Sequence, residues 1–113
     1  GFSYTTFAYA PEMPNMSPIA KKFTENWRKA FPGKDPNALT ACGYDSYMLI
    51  LDAIKRANSD DPEKITAALA ATKNFPGVTG NTTINASHDA EKSVGIMQIK
   101  NGKRIFLTVV EPK

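Results

Sequence analysis

Ile19, Phe23, Trp27 and Phe31 recur every four residues and so fall on one stripe of a helix. Ser17 followed by Pro18 starts that helix: the serine hydroxyl accepts an orphan backbone N–H, and the proline ring pre-sets φ at the first helical position. Pro32-Gly33 ends it. Asp35-Pro36-Asn37 is a second start signal, and the stretch from Leu39 to Ala57 is strongly helical. The pattern predicts Tyr47, Ile50, Leu51 and Ile54 on its buried side, while Lys55, Arg56 and Asn58 mark a wet C-terminal end suited to the dipole. This is the most hydrophobic element, which predicts a central position. Ser59-Asp60-Asp61-Pro62-Glu63 repeats the cap logic and predicts a helix from Pro62 to Thr72 with Ile65, Ala68 and Leu69 inward. Asn74 suits a left-handed stop, and Phe75-Pro76-Gly77 reads as a loop.

The period is 2 at both ends of the chain. Residues 2–9, FSYTTFAY, are aromatic and Thr-rich, as a half-buried strand requires. Pro11 and Pro14 then deny the backbone a ladder, so residues 10–16 read as a loop. Thr82-Thr83-Ile84 is a short extended piece. Val94 to Lys100, Asn101-Gly102, and Lys103 to Val110 form a hairpin signal, since Asn-Gly tolerates the two positive φ values of a type I′ turn. Residues 104–110, RIFLTVV, are apolar on both faces, which predicts cover on both sides. The fold class is therefore α/β: an N-terminal strand in residues 1–10, three helices in 17–73, and strands with a C-terminal β-hairpin in 78–111.

The 113 residues suffice for one domain. A formal charge of +3 comes from 14 basic and 11 acidic residues, with lysines scattered as in Lys21-Lys22, Lys55-Arg56 and Lys103-Arg104. No basic stripe interleaved with aromatics appears, so a nucleic-acid partner is not expected. Cys42 is the only cysteine, which excludes an internal disulfide and a thiolate metal site; its small, apolar neighbours predict a buried, inert thiol. No apolar run reaches membrane-spanning length. The chain opens without Met inside an extended segment and ends just after another, at Glu111-Pro112-Lys113, and reads as a fragment of a longer protein.

Three groups bear chemistry. His88 and Asp89 with Glu91 lack a second His or Cys at ligand spacing and read as an exposed turn. Tyr44-Asp45 stands near the start of the long helix; the acid suits the dipole there, and the pair can also face a ligand ammonium group. Tyr4, Phe7 and Tyr9 either pack a helix or line a cleft. The ligand-binding candidates are Tyr9, Tyr44 and Asp45. Phosphate loops, G-x-S-x-G and H-E-x-x-H are absent, so no catalytic residue, cofactor or metal is expected and the chain does not read as an enzyme.

The motifs also have a familiar order. A strand ending Tyr9-Ala10-Pro11 leads to the helix from Pro18 to Phe31. Gly43-Tyr44-Asp45-Ser46-Tyr47 opens the long helix that closes Asp52-Ala53-Ile54-Lys55-Arg56-Ala57. Asp60-Asp61-Pro62-Glu63-Lys64-Ile65, Phe75-Pro76-Gly77-Val78-Thr79-Gly80, Thr83-Ile84-Asn85 with His88-Asp89-Ala90, and Ile99-Lys100-Asn101-Gly102-Lys103 follow. Together they resemble the final third of type I periplasmic binding proteins, the leucine/isoleucine/valine-binding (extracellular ligand-binding receptor) family of ABC transporters. His88 stands where that family often has a glycine before the Asp.

The resemblance implies a fragment of a fold with two α/β lobes, joined by three crossovers and closing on ligand like a hinge. Residues 1–10 would end lobe two and cross over, the helices would lie mainly in lobe one, and the closing strands would return towards lobe two. The implied function is capture of a branched-chain or similar amino acid and its delivery to ABC permease subunits. The implied location is periplasmic or extracellular, with a lipid anchor in an N-terminal region outside this chain. Taken alone, such a fragment would expose Phe2, Phe7, Phe106 and Val110, which predicts a homodimer or strand-exchanged assembly. The alternative is a non-catalytic α/β sensor or protein-interaction module that shares only the architecture.

Overall fold

Each helix begins where a side chain satisfies its first amides. In the computed structural model, which describes residues 1–113, Ser17 Oγ accepts the Ala20 N–H at 3.2 Å and starts α1, Pro18–Ala30. Asn37 Oδ1 accepts the Thr40 N–H at 2.9 Å and starts α2, Ala38–Ala57; Asp61 Oδ1 accepts the Glu63 N–H at 2.8 Å and starts α3, Pro62–Ala70. Asn58 closes α2 in the left-handed region at φ 47°. The third helix stops two residues short of Thr72, because Thr72 turns to other work. Its carbonyl accepts the Ile84 N–H at 3.0 Å and its hydroxyl accepts from Arg56 at 2.9 Å.

Two antiparallel sheets frame the helices. The first joins β1 (Phe2–Phe7), β5 (Val94–Lys100) and β6 (Lys103–Val110) in the order β1-β5-β6. Tyr4 lies opposite Met97, which lies opposite Phe106, beside a bulge at Ile96/Met97. Asn101 and Gly102 both take positive φ, 51° and 72°, as a type I′ turn requires. The second sheet joins β2 (Phe75–Gly77), β3 (Gly80–Ile84) and β4 (Ala90–Glu91). Phe75-Pro76-Gly77, expected as a loop, is thus a short strand; Pro76 is tolerated because β2 is a sheet edge.

His88 occupies a left-handed position at φ 65°. Asn85 holds the turn around it: Oδ1 accepts from the Ser87 N–H at 2.9 Å and the Asp89 N–H at 3.0 Å, and the Asn85 backbone N–H donates to the Asp89 carbonyl at 2.9 Å. The turn therefore forms without the glycine, at a cost of about 1 kcal/mol for the Cβ.

Principal extents of 51 × 35 × 19 Å leave room for at most two layers, and only 18 of 113 residues are buried, so much apolar surface stays open. The core is Tyr9, Ala20, Phe23, Ala41 and Val78, with Met16 and Trp27 packed against it. Along α2 the buried residues are Ala41, Asp45 and Ala53, whereas Tyr47 is 63% and Ile50 47% exposed and Leu51 and Ile54 are half-buried. The expected buried side is thus mostly the open one. Small residues admit the close approach of neighbouring elements, and the large apolar stripe has no second layer to meet. The same holds for β6: it is an edge strand, and Ile105, Leu107 and Val110 are exposed rather than covered on both sides. No helix is long and apolar enough to cross a membrane.

Candidate functional site

Tyr9 follows β1 and enters the core at 1% exposure. Its ring meets Phe23 edge-on, with centroids 5.7 Å apart. Its hydroxyl lies 2.7 Å from Thr24 Oγ1, which sits 2.8 Å from the Ala20 carbonyl. With the threonine proton given to that carbonyl, the tyrosine donates. Burial pushes the Tyr9 phenol up, against the lowering pull of the Thr24 hydrogen bond. Both the ring and the hydroxyl of this ligand candidate are therefore committed inside the chain.

Asp45 is also buried, two turns into α2. Oδ1 accepts the Val78 N–H at 2.7 Å; Oδ2 accepts the Thr79 N–H at 2.8 Å and the Thr79 hydroxyl at 2.6 Å. A Cβ on Gly77 would stand 2.7 Å from Oδ2, so the loop needs a glycine where it crosses the carboxylate. Lys92 donates to Thr79 Oγ1, which brings a positive charge near the buried negative one. These partners fasten the β2–β3 loop to α2 and leave the carboxylate facing inward. Beside them Cys42 is half-buried rather than buried as expected, and burial pushes its thiol up while Lys92 offsets part of the rise.

Tyr44 is the open member of the three, 42% exposed, with its ring centroid 5.0 Å from that of Phe23. It borders a groove of about 260 Å³ between α1 and α2, together with Ile19, Lys22, Asn26, Met48 and Phe75. Asp45 borders the same groove, so the structure brings Tyr44 and Asp45 to one concave surface, while Tyr9 stays enclosed in the core. His88, Asp89 and Glu91 are exposed, and no three His, Cys, Asp or Glu side chains converge as a metal site would need.

A second hollow, about 390 Å³, opens where β1 and β5 meet the start of α2. Thr5, Thr6, Phe7, Ala38, Leu39 and Val94 line it. Leu39 is 71% exposed, Phe7 43% and Val94 38%, an apolar wall standing in the open. Leu39 lies in the first turn of α2, where the helix presents the positive end of its dipole. Sequence reasoning passed over Leu39 and Val94; the only signal was an apolar side chain directly behind the Asn37 cap, placed before the buried line of α2 begins.

The family model for periplasmic binding proteins matches residues 1–104. Comparison with curated proteins returns no match. Among solved structures, the chain is similar to the leucine-binding protein LivK of Thermotoga maritima, with 45% identity and a TM-score of 0.84 over 99% of this chain and 31% of that one. It is similar to LivJ of Streptococcus pneumoniae, a branched-chain amino acid transporter substrate-binding protein solved with isoleucine, at 31% identity and TM-score 0.82 over 97% of this chain and 30% of that one. An ABC-transporter solute-binding protein of R. palustris in complex with benzoate shares the fold at 21% identity and TM-score 0.78, over 99% of this chain and 30% of that one. The chain thus spans about a third of the length of these proteins, and the α/β architecture is that of a part of their fold. All three are binding proteins, in keeping with a sequence that carries no catalytic constellation. By the residues its family model matches and by its likeness to LivK, the chain belongs to the periplasmic binding protein family.

Proposed function

We propose that the chain is the closing third of a solute-binding protein that captures a branched-chain or similar amino acid outside the cytoplasmic membrane and hands it to an ABC permease. The observation that carries this reading is the 45% identity to a leucine-binding protein along 99% of the chain. In this reading the hollow at Phe7, Leu39 and Val94 receives the solute's aliphatic side chain, and the first turn of α2 favours its carboxylate. Tyr9 and Asp45 serve as positioning residues: one fixes where β1 turns into the helical layer, the other fixes the β2–β3 loop. The parent protein is periplasmic or extracellular and lipid-anchored through a region outside these residues.

A thermal-shift screen of the full-length parent against amino acids and aromatic acids tests the reading. A ligand at ~100 times its dissociation constant adds about 2.7 kcal/mol and raises the melting temperature by several degrees. A selective shift with leucine, isoleucine or valine is expected. A flat response to them, with a shift for benzoate-like acids, would reassign the solute class; a flat response to the whole panel would favour the interaction-module alternative.

Taken by itself, the 113-residue chain self-associates as a homodimer or strand-exchanged pair. Both outer strands of the first sheet are unpaired on one side, and Ile105, Leu107 and Val110 are exposed on β6.

A further inference from the structure

We infer that Lys92 is a positioning residue: it fixes the angle between the first sheet and the helical layer, and so sets solute affinity without touching the solute. This role rests on the solute-binding reading above. The first sheet, β1-β5-β6, joins the rest of the chain through two links. One leaves β1 after Phe7; the other, Lys92-Ser93, runs from the end of β4 at Glu91 to the start of β5 at Val94. Phe7 and Val94 are ladder partners, so the links leave the sheet side by side. Gly95 lets them close up, since a Cβ there would stand 3.1 Å from the Phe7 carbonyl. Residues at element ends of this kind absorb a rotation of one body against another through small changes in φ and ψ.

Neighbouring residues of the second link are held by opposite bodies. Lys92 donates to Thr79 Oγ1, and Thr79 gives its own proton to Asp45 Oδ2 at 2.6 Å, which fastens the link to α2. Thr79 and Asp45 are both buried, so water competes little for these charge-assisted bonds. Ser93, also buried, instead donates to Glu111 Oε2 at 2.6 Å, just beyond the end of β6. The turning point therefore lies between residues 92 and 93. The first link has its own anchor in the buried Tyr9, whereas the side-chain bond that ties the second to the helical layer is that of the Lys92 ammonium. Arg104–Glu12 is the ion pair that spans the seam, but at 3.5 Å with Arg104 57% exposed it contributes little. Val94, directly after the anchored pair, lines the hollow with Phe7, across from Ala38 and Leu39. The width of the hollow thus follows the angle of the sheet. With the ammonium released, the ligand-free protein samples a wider range of angles, and binding has to remove that freedom.

The test uses the full-length parent, with leucine titrated by isothermal titration calorimetry and the ligand-free protein measured by small-angle X-ray scattering. Lys92→Met keeps the apolar stem and removes the ammonium. Its dissociation constant is expected to rise roughly three- to tenfold. Its radius of gyration should be larger than that of the wild type without leucine and equal to it at saturation. Thr79→Ser retains the hydroxyl and should match the wild type, while Thr79→Val should reproduce both changes. A merely structural lysine would lower stability alone, so a Lys92→Met protein with wild-type affinity and wild-type scattering would overturn the proposal. Weaker binding with unchanged scattering would overturn it too, by placing the ammonium on the solute, as would altered scattering with unchanged affinity. Should the parent bind no branched-chain amino acid, a larger radius for ligand-free Lys92→Met would support the anchored link while sinking the solute reading; an unchanged radius would sink both.

Discussion

Asp45 holds Thr79 by two hydrogen bonds across 34 residues of sequence, one to its amide at 2.8 Å and one to its hydroxyl at 2.6 Å. With the Val78 amide at 2.7 Å, the carboxylate organises a loop that has no regular ladder of its own at that point. Asp45→Asn places an amide N–H₂ against at least one of these donors and removes the charge that Lys92 balances. The expected loss is about 3 kcal/mol, read by urea denaturation of the full-length parent. Gly77→Ala pushes a methyl to 2.7 Å from the same oxygen and should also destabilise, by roughly 1–3 kcal/mol.

Tyr9→Phe should separate positioning from contact. The change removes one buried hydroxyl hydrogen bond to Thr24 and costs about 1 kcal/mol of stability. Solute affinity measured by isothermal titration calorimetry should stay within about twofold. A large loss of affinity at unchanged stability would place Tyr9 on the solute instead.

Leu39→Ala probes the hollow at the start of α2. Leu39 is 71% exposed, so truncation should leave the melting temperature nearly unchanged. If the solute's side chain packs there, the dissociation constant should rise about tenfold, the equivalent of ~1.4 kcal/mol of lost apolar contact. Equal affinity for leucine in the variant and the wild type would remove this residue from the site.

His88→Gly should stabilise by about 0.5 kcal/mol. Relief of the left-handed Cβ strain gives about 1 kcal/mol, and the added freedom of the unfolded glycine takes back roughly half. Thermal melts of the two proteins under identical conditions check the sign.

The isolated 113-residue chain should have a light-scattering mass of two or more copies at micromolar concentration. Leu107→Lys puts a charge on the open strand β6, where Leu107 is 48% exposed, and should shift the population towards one copy. A mass of one chain for the unaltered sequence would sink the assembly proposal.

Local signals determined the elements. Ser17, Asn37 and Asp61 cap their helices as their positions in the sequence foretell, because a cap needs only a side-chain oxygen within three residues of an orphan amide. Asn101-Gly102 likewise makes its turn from the φ tolerance of two residues. The ordered motifs from Tyr9-Ala10-Pro11 to Asn101-Gly102 also disclosed the family, which the match over residues 1–104 bears out. Tertiary structure decided what each side chain faces. Tyr47 and Ile50 obey a helical period as well as any core residue, yet they stand open, because burial depends on whether a second layer exists to meet them. Phe75-Pro76-Gly77 became a strand because Gly80–Ile84 folded back beside it. Asp45 was legible as an acid near a helix start; its bond to Thr79 was not, since a contact spanning 34 residues is set by chain topology rather than by neighbours in sequence.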